Sequence, residues 1–169
     1  MLDERASEIV AALKHRRGGG PELLAYKEGR RWRDVRSHEI NDYLKEATGG
    51  DHSAKDFRTW NATVLAAVAL AVSGEQLGTK ASRKRAVKRA VEEVAMYLGN
   101  TPAVCRASYI DPRVFDAFDS RLTIRPALER VAARLRPGEL PTNQPELEAA
   151  VLDLIDARSD AAGLERVAA

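Results

Sequence analysis

The chain carries the stretch SAKDFRTWNATVLAAVALAV at residues 53–72, which predicts a long and largely buried α-helix. Ser53 and Asp56 have the spacing of a capping box, with the aspartate as its third-position acid. The alanine and valine residues that follow suit a core helix, but they are too few for a membrane span, which needs roughly 18 apolar residues. Arg58 falls in the second turn, where its charge and the helix dipole both favour a bound phosphate.

Helical patterns continue on both sides of this stretch. Gly99 ends one predicted helix, Thr101-Pro102 starts the next, and Asp111-Pro112 forces a break immediately after Tyr109. The sequence predicts a mainly α, multi-helix fold with at most a small β-hairpin near residues 22–35. The remaining helices are predicted near residues 2–17, 37–47, 82–98, 122–135 and 145–157.

Composition indicates a globular protein of ordinary domain size. The 169 residues are 44% hydrophobic and 31% charged, without a membrane span or a signal-peptide pattern. The single cysteine, Cys105, agrees with a reducing cytoplasm, and it lacks a histidine partner nearby in the sequence. The three histidines and one cysteine also have no zinc-site spacing, so we expect no metal.

Positive charge is concentrated in the first two thirds of the chain. Residues 1–110 hold 19 Lys and Arg against 14 Asp and Glu, whereas residues 111–169 hold 8 against 11. Six basic residues lie within ten positions, which is enough for a phosphate-binding patch, although a solvated helix face is the alternative. They are Lys80, Arg83, Lys84, Arg85, Lys88 and Arg89.

Tyr109, Arg58 and Asn100 are the candidate catalytic residues. A phenol has a pKa near 10, so it attacks a phosphate only if the developing negative charge is stabilised. Arginine suits that task because its fork spans two phosphate oxygens and stays charged. An asparagine amide cannot exchange protons, but it can donate a hydrogen bond to a phosphate oxygen.

The runs Lys55-Asp56-Phe57-Arg58-Thr59-Trp60 and Leu98-Gly99-Asn100-Thr101-Pro102, followed by Tyr109, resemble the catalytic domain of small type IB DNA topoisomerases of bacteria and poxviruses. These enzymes are relatives of the tyrosine recombinases. The resemblance covers roughly residues 1–120 and implies a 3′-phosphotyrosyl intermediate, relaxation of supercoiled DNA, and no need for ATP, a metal or another cofactor. It also implies a monomer that acts on duplex DNA in the cytoplasm, associated with the nucleoid, and not on a membrane.

The resemblance assigns a role to each matching residue. Tyr109 matches the nucleophile, Arg58 the arginine that clamps the scissile phosphate, and Asn100 the position where most of the wider superfamily has histidine. The DNA contacts are expected from Lys55, which matches the basic residue of the Lys-x-x-Arg motif, and from Arg83, Lys84, Lys88 and Arg106.

The family also uses an arginine and a hairpin lysine upstream of the Lys-x-x-Arg motif, and neither is assigned to a residue of this chain. We therefore expect residues 1–135 to form the C-terminal part of the catalytic domain and residues 136–169 a helical tail. On this interpretation the chain is truncated, and alone it cleaves DNA weakly or not at all.

Two other hypotheses stay open. A tyrosine recombinase would share Arg58 and Tyr109, but such enzymes usually have His-x-x-Arg and Gly-His where this chain has Lys55 and Gly99-Asn100. A non-catalytic helical DNA-binding module would use the basic helix at residues 80–89, with Tyr109 as a packing residue.

Overall fold

The computed structural model describes residues 4–74, 78–134, 144–158 and 160–166, and the chain divides into two units, Met1–Ala54 and Lys55–Ala169. The first unit contains helix α1 (Glu4–Lys14), strands β1 (Ala25–Glu28) and β2 (Arg31–Asp34), and helix α2 (Ser37–Thr48). The strands pair antiparallel, from Ala25 opposite Asp34 to Glu28 opposite Arg31. The predicted hairpin near residues 22–35 is therefore present.

Arg16 organises the loop that joins α1 to the hairpin. Its guanidinium lies 5.7 Å from the centroid of the Trp32 ring and donates hydrogen bonds to the carbonyl oxygens of Leu23, at 2.7 Å, and Gly20, at 3.0 Å. One cation thus satisfies carbonyl groups that regular secondary structure would otherwise pair.

The second unit is helical. Its helices are α3 (Ala54–Val72), α4 (Lys80–Leu98), α5 (Pro102–Ser108), α6 (Arg113–Asp119), α7 (Arg125–Ala132) and α8 (Pro145–Ile155). Helix α4 packs on α5 and α6, and α8 packs on α6 and α7. The largest fully buried apolar side chains of the unit are Leu70, Ile124, Leu147, Val114 and Val151. The predicted mainly α fold is confirmed.

A second two-stranded sheet was not predicted. Strand β3 (Leu122–Thr123) pairs antiparallel with strand β4 (Glu165–Arg166). The helix predicted to start at Leu122 begins instead at Arg125, because Leu122 and Thr123 are extended and Pro126 fits the first turn of α7. The predicted end of that helix, at residue 135, lies outside the described residues.

The segment after α7 contributes to the same hydrophobic core as the helices before it. Leu147, Val151 and Leu154 of α8 are buried with residues of α3, α4 and α6. Glu146 forms ion pairs with Arg130 of α7 and with Arg134, two residues after that helix ends, and these arginines lower the pKa of its carboxyl. The division of the chain at residue 135 stays a prediction. Across the described residues, no helix is long and apolar enough to cross a membrane.

Candidate active site

Arg58 lies in the second turn of α3, with its side chain exposed. One guanidinium nitrogen donates a hydrogen bond to the carbonyl oxygen of Leu98, at the last turn of α4. The Cζ atom lies 5.2 Å from the centroid of the Tyr109 ring, within the range of a cation–π contact. Arg58 therefore contacts the end of α4 and the predicted nucleophile at the same time.

Tyr109 occupies the C-terminal cap of α5, a helix that the sequence defines at both ends. Thr101 caps its start by accepting a hydrogen bond from the Val104 amide at 3.3 Å, and Pro102 occupies the first turn. The amide of Tyr109 donates to the Cys105 carbonyl at 3.0 Å, and the next residue, Ile110, is buried. The backbone of Tyr109 is thus fixed on both sides, while its ring is only half-buried against the core.

Asn100 follows the left-handed turn that ends α4. Gly99 has φ of 66°, a conformation that favours glycine, and the amide of Asn100 donates to the Ala95 carbonyl at 2.9 Å. In the part of the chain that the structure describes, Nδ2 of Asn100 is buried and has no hydrogen-bond partner. A buried donor without an acceptor is costly, so it calls for an explanation, and a bound ligand oxygen is one.

These three side chains come from three different elements. Arg58 lies against Tyr109, and its hydrogen bond to Leu98 attaches it to the turn in which Asn100 lies two residues later. The arrangement combines a phenol hydroxyl, a permanent positive charge and an unpaired amide donor. A cation and a hydrogen-bond donor are groups that can stabilise the transition state of a phosphoryl transfer, and a hydroxyl is a group that can attack the phosphorus.

Lys55 lies one turn before Arg58 on α3 and is exposed. Residues three apart on a helix share a face, so Lys55 extends the positive charge of Arg58 toward the start of the helix. Its predicted role as a phosphate contact stays a prediction.

The other predicted DNA contacts lie on α4 and α5. Lys84, Lys88 and Arg106 line a groove of about 500 Å³ whose apolar residues include Val87 and Val91. Arg106 stacks on the buried Phe115, with its Cζ 4.4 Å from the ring centroid. Arg83 differs, because its side chain is only 14% exposed and its Nε lies 4.0 Å from a carboxylate oxygen of Asp119. Their role in DNA binding stays a prediction.

Cys105 is buried in α5, on the turn before Tyr109. Burial raises the pKa of its thiol, and the nearby positive charge of Arg58 opposes that shift. A neutral and inaccessible thiol is a packing group, as the sequence predicted.

Two residues near Tyr109 were not among the residues predicted from the sequence. The buried hydroxyl of Thr63 on α3 accepts a hydrogen bond at 3.1 Å from the backbone amide of Asp111, two residues after Tyr109. The carboxylate of Asp111 accepts from the Arg113 amide at 2.9 Å and pairs with the Arg113 guanidinium, which lowers the pKa of Asp111. Thr63 was detectable as a hydroxyl within an apolar run, whereas a contact through the Asp111 backbone leaves no sequence signal.

The comparisons with known proteins give one family. A model described as "Eukaryotic DNA topoisomerase I, catalytic core" matches residues 3–126, which include Lys55, Arg58, Asn100 and Tyr109. Among curated proteins, none matches the chain.

Proposed function

The chain belongs to the family of the eukaryotic DNA topoisomerase I catalytic core, and from that premise we propose that Tyr109 cleaves duplex DNA by the type IB mechanism. Tyr109 gives up its hydroxyl proton as its oxygen attacks a backbone phosphorus, the bond from that phosphorus to the 5′-oxygen breaks, and the 5′-oxygen takes up a proton. The products are a 3′-phosphotyrosyl link and a 5′-hydroxyl end. The link keeps the energy of the phosphodiester, so the reverse reaction reseals the strand without ATP.

The contact between Arg58 and Tyr109 is the observation that carries this proposal. The Arg58 Cζ lies 5.2 Å from the centroid of the Tyr109 ring, and this proximity supports a role for the guanidinium in binding the phosphate that the tyrosine attacks. Since the arginine fork can hold two phosphate oxygens, it orients the phosphate and stabilises the extra negative charge of the pentacoordinate state. The hydrogen bond to Leu98 uses one nitrogen of that fork.

The unpaired amide of Asn100 supports a second contact to the same phosphate. We assign Nδ2 as a donor to a non-bridging oxygen, since this buried group has no acceptor within the described residues. An asparagine needs no proton transfer for that role. The side chains of Arg58 and Asn100 would together supply the electrostatic stabilisation, so the proposed chemistry calls on neither a metal nor another cofactor.

Cleavage of one strand allows the duplex to swivel about the intact strand before resealing, and one copy of the chain suffices for this. The leaving 5′-oxygen must gain a proton, and we assign that role to no residue of this chain. Cleavage by the chain is therefore best detected in an assay in which even a slow reaction accumulates the product.

A nicked suicide duplex provides such a test. The short fragment that carries the new 5′-hydroxyl dissociates after cleavage, so the strand cannot be resealed. We expect the chain to form a 3′-linked covalent adduct on a denaturing gel, in the presence of EDTA and without ATP. Tyr109→Phe should form no adduct while binding the duplex with the affinity of the unmodified chain. The matched control is Tyr97→Phe, which removes the hydroxyl of an exposed tyrosine on α4 and should leave adduct formation unchanged.

Other results would favour the competing hypotheses. Adduct formation by Tyr109→Phe would contradict the nucleophile assignment. Binding of duplex without any adduct, even on a duplex whose 5′-bridging sulfur leaves without a proton, would favour a DNA-binding module. Strand exchange between two specific duplexes would favour a recombinase.

A further inference from the structure

We propose that Thr63 is a positioning residue, whose hydroxyl holds the backbone after Tyr109 in register with the helix that carries Arg58. This inference rests on the proposed function, since it concerns the geometry of the same site. It adds a buried residue from the interior of α3 to which the proposed chemistry assigns no contact with the phosphate.

The hydroxyl of Thr63 uses both of its hydrogen-bonding roles. Its O–H group donates to the Thr59 carbonyl at 2.9 Å, and its oxygen accepts from the Asp111 amide at 3.1 Å. The side chain is 2% exposed, so solvent does not compete for either contact. With the proton directed at Thr59, the oxygen lone pairs are available to Asp111, and the orientation of the hydroxyl is fixed.

The bridge joins the two catalytic elements by a short path. Thr63 lies five residues after Arg58 on one continuous helix, which is about 7.5 Å along the axis. Asp111 lies two residues after Tyr109, and the residue between them, Ile110, is buried. Tyr109 is therefore held by α5 through the Cys105 carbonyl on one side and by α3 through Thr63 on the other.

The apolar neighbours of Thr63 indicate that its hydroxyl serves the hydrogen bond to Asp111 and not the packing of the core. Ala62, Val64, Ala66 and Ala67 are buried and apolar, so a valine at position 63 would suit the same surroundings and has the same shape as threonine. A valine cannot accept a hydrogen bond, and the Asp111 amide would lose its partner. The position of Tyr109 relative to Arg58 would then be less well fixed, whereas the affinity for duplex DNA would be unchanged.

The test compares single-turnover adduct formation on the suicide duplex at saturating protein. Thr63→Val removes the acceptor, Thr63→Ser keeps it, and Val64→Ala removes buried methyl groups from the adjacent position without touching the bridge. We expect Thr63→Val to slow adduct formation at least about tenfold with unchanged duplex affinity, because small misplacements of reacting groups have large effects on rate. Thr63→Ser and Val64→Ala should stay within roughly threefold of the unmodified chain, each measured below its own unfolding temperature.

Amide hydrogen exchange supplies a second measurement that does not depend on cleavage. In Thr63→Val, exchange at Asp111 should accelerate, and Thr63→Ser should restore protection. If Thr63→Val does not fold, the pair Thr63→Ala and Thr63→Ser makes the same comparison.

Several outcomes would overturn the inference. One is a cleavage rate for Thr63→Val equal to that of Val64→Ala, and another is equal slowing by Thr63→Val and Thr63→Ser, which would implicate the methyl group. A change confined to duplex affinity would also overturn it. If Tyr109→Phe is inactive while Thr63→Val cleaves normally, only this inference fails; if Tyr109→Phe forms the adduct, the proposed function fails.

Discussion

Arg58 gains a partner in the proposed reaction and keeps the one it has. In the unbound molecule its guanidinium donates to the Leu98 carbonyl and lies against the Tyr109 ring. A phosphate bound between arginine and tyrosine would receive the remaining N–H groups of the fork, while the Leu98 contact keeps the side chain oriented. An arginine held in this way loses less rotamer freedom when the phosphate binds, which favours binding.

Asn100 makes the clearest prediction at the scale of a residue. Asn100→Ala should slow adduct formation by about 10²–10³, since loss of a donor to the transition state costs roughly 2.7–4 kcal/mol. The free energy of unfolding should not fall, because within the described residues the amide Nδ2 makes no hydrogen bond that the substitution could remove. Single-turnover kinetics and urea unfolding measure the two effects.

Asn61→Ala is the matched control for that experiment. The Asn61 amide donates to the Phe57 carbonyl at 3.1 Å, so its removal should lower stability slightly and change the cleavage rate less than threefold. A stable Asn100→Ala variant that cleaves at the unmodified rate would contradict the donor assignment.

At the scale of elements, the signals for helix starts and ends predicted the boundaries of the helices that carry the candidate site. Thr101-Pro102 starts α5 and Gly99 ends α4, as the sequence indicated, and these boundaries place Asn100 and Tyr109. The pairing of β3 with β4 was not predictable, because each strand has only two residues and the partners are more than forty residues apart in the chain. The bridge from Thr63 to Asp111 was missed for the same reason: it depends on a tertiary contact.

The turn after α4 can be tested against an equivalent turn elsewhere. Gly99 and Gly49 both cap a helix with positive φ, 66° and 68°, and a Cβ atom at either would meet nothing within 4 Å. Alanine at each position should therefore cost a similar amount, about 1–2 kcal/mol, from backbone strain alone. Urea unfolding, followed by the circular dichroism of the helices, measures this change in the free energy of unfolding.

Only Gly99→Ala should also slow adduct formation, because Asn100 follows directly. The rate for Gly49→Ala should match that of the unmodified chain. Equal cleavage rates in the two variants would show that the turn at Gly99 does not set the position of the Asn100 amide.

At the scale of the whole molecule, the family match and the second folded unit end at different residues. The match covers residues 3–126, from the first unit into the start of α7, whereas the core of the second unit continues into α8. Helix α8 packs on α6, the helix that begins just after Asp111. Residues beyond the family match thus support the segment that follows Tyr109, so we expect them to be needed for a stable site.

The most direct test of the central claim identifies the atom that becomes bonded to DNA. The chain is incubated with duplexes that carry a 5′-bridging phosphorothiolate at successive positions, because a thiolate leaves without needing a proton. Trypsin then releases the peptide of residues 107–113, between Arg106 and Arg113, in which Tyr109 is the only tyrosine. We expect mass spectrometry to find this peptide joined through Tyr109 to a 3′-phosphate, and to find no adduct in Tyr109→Phe. A link to another residue, or to a 5′-phosphate, would contradict this expectation.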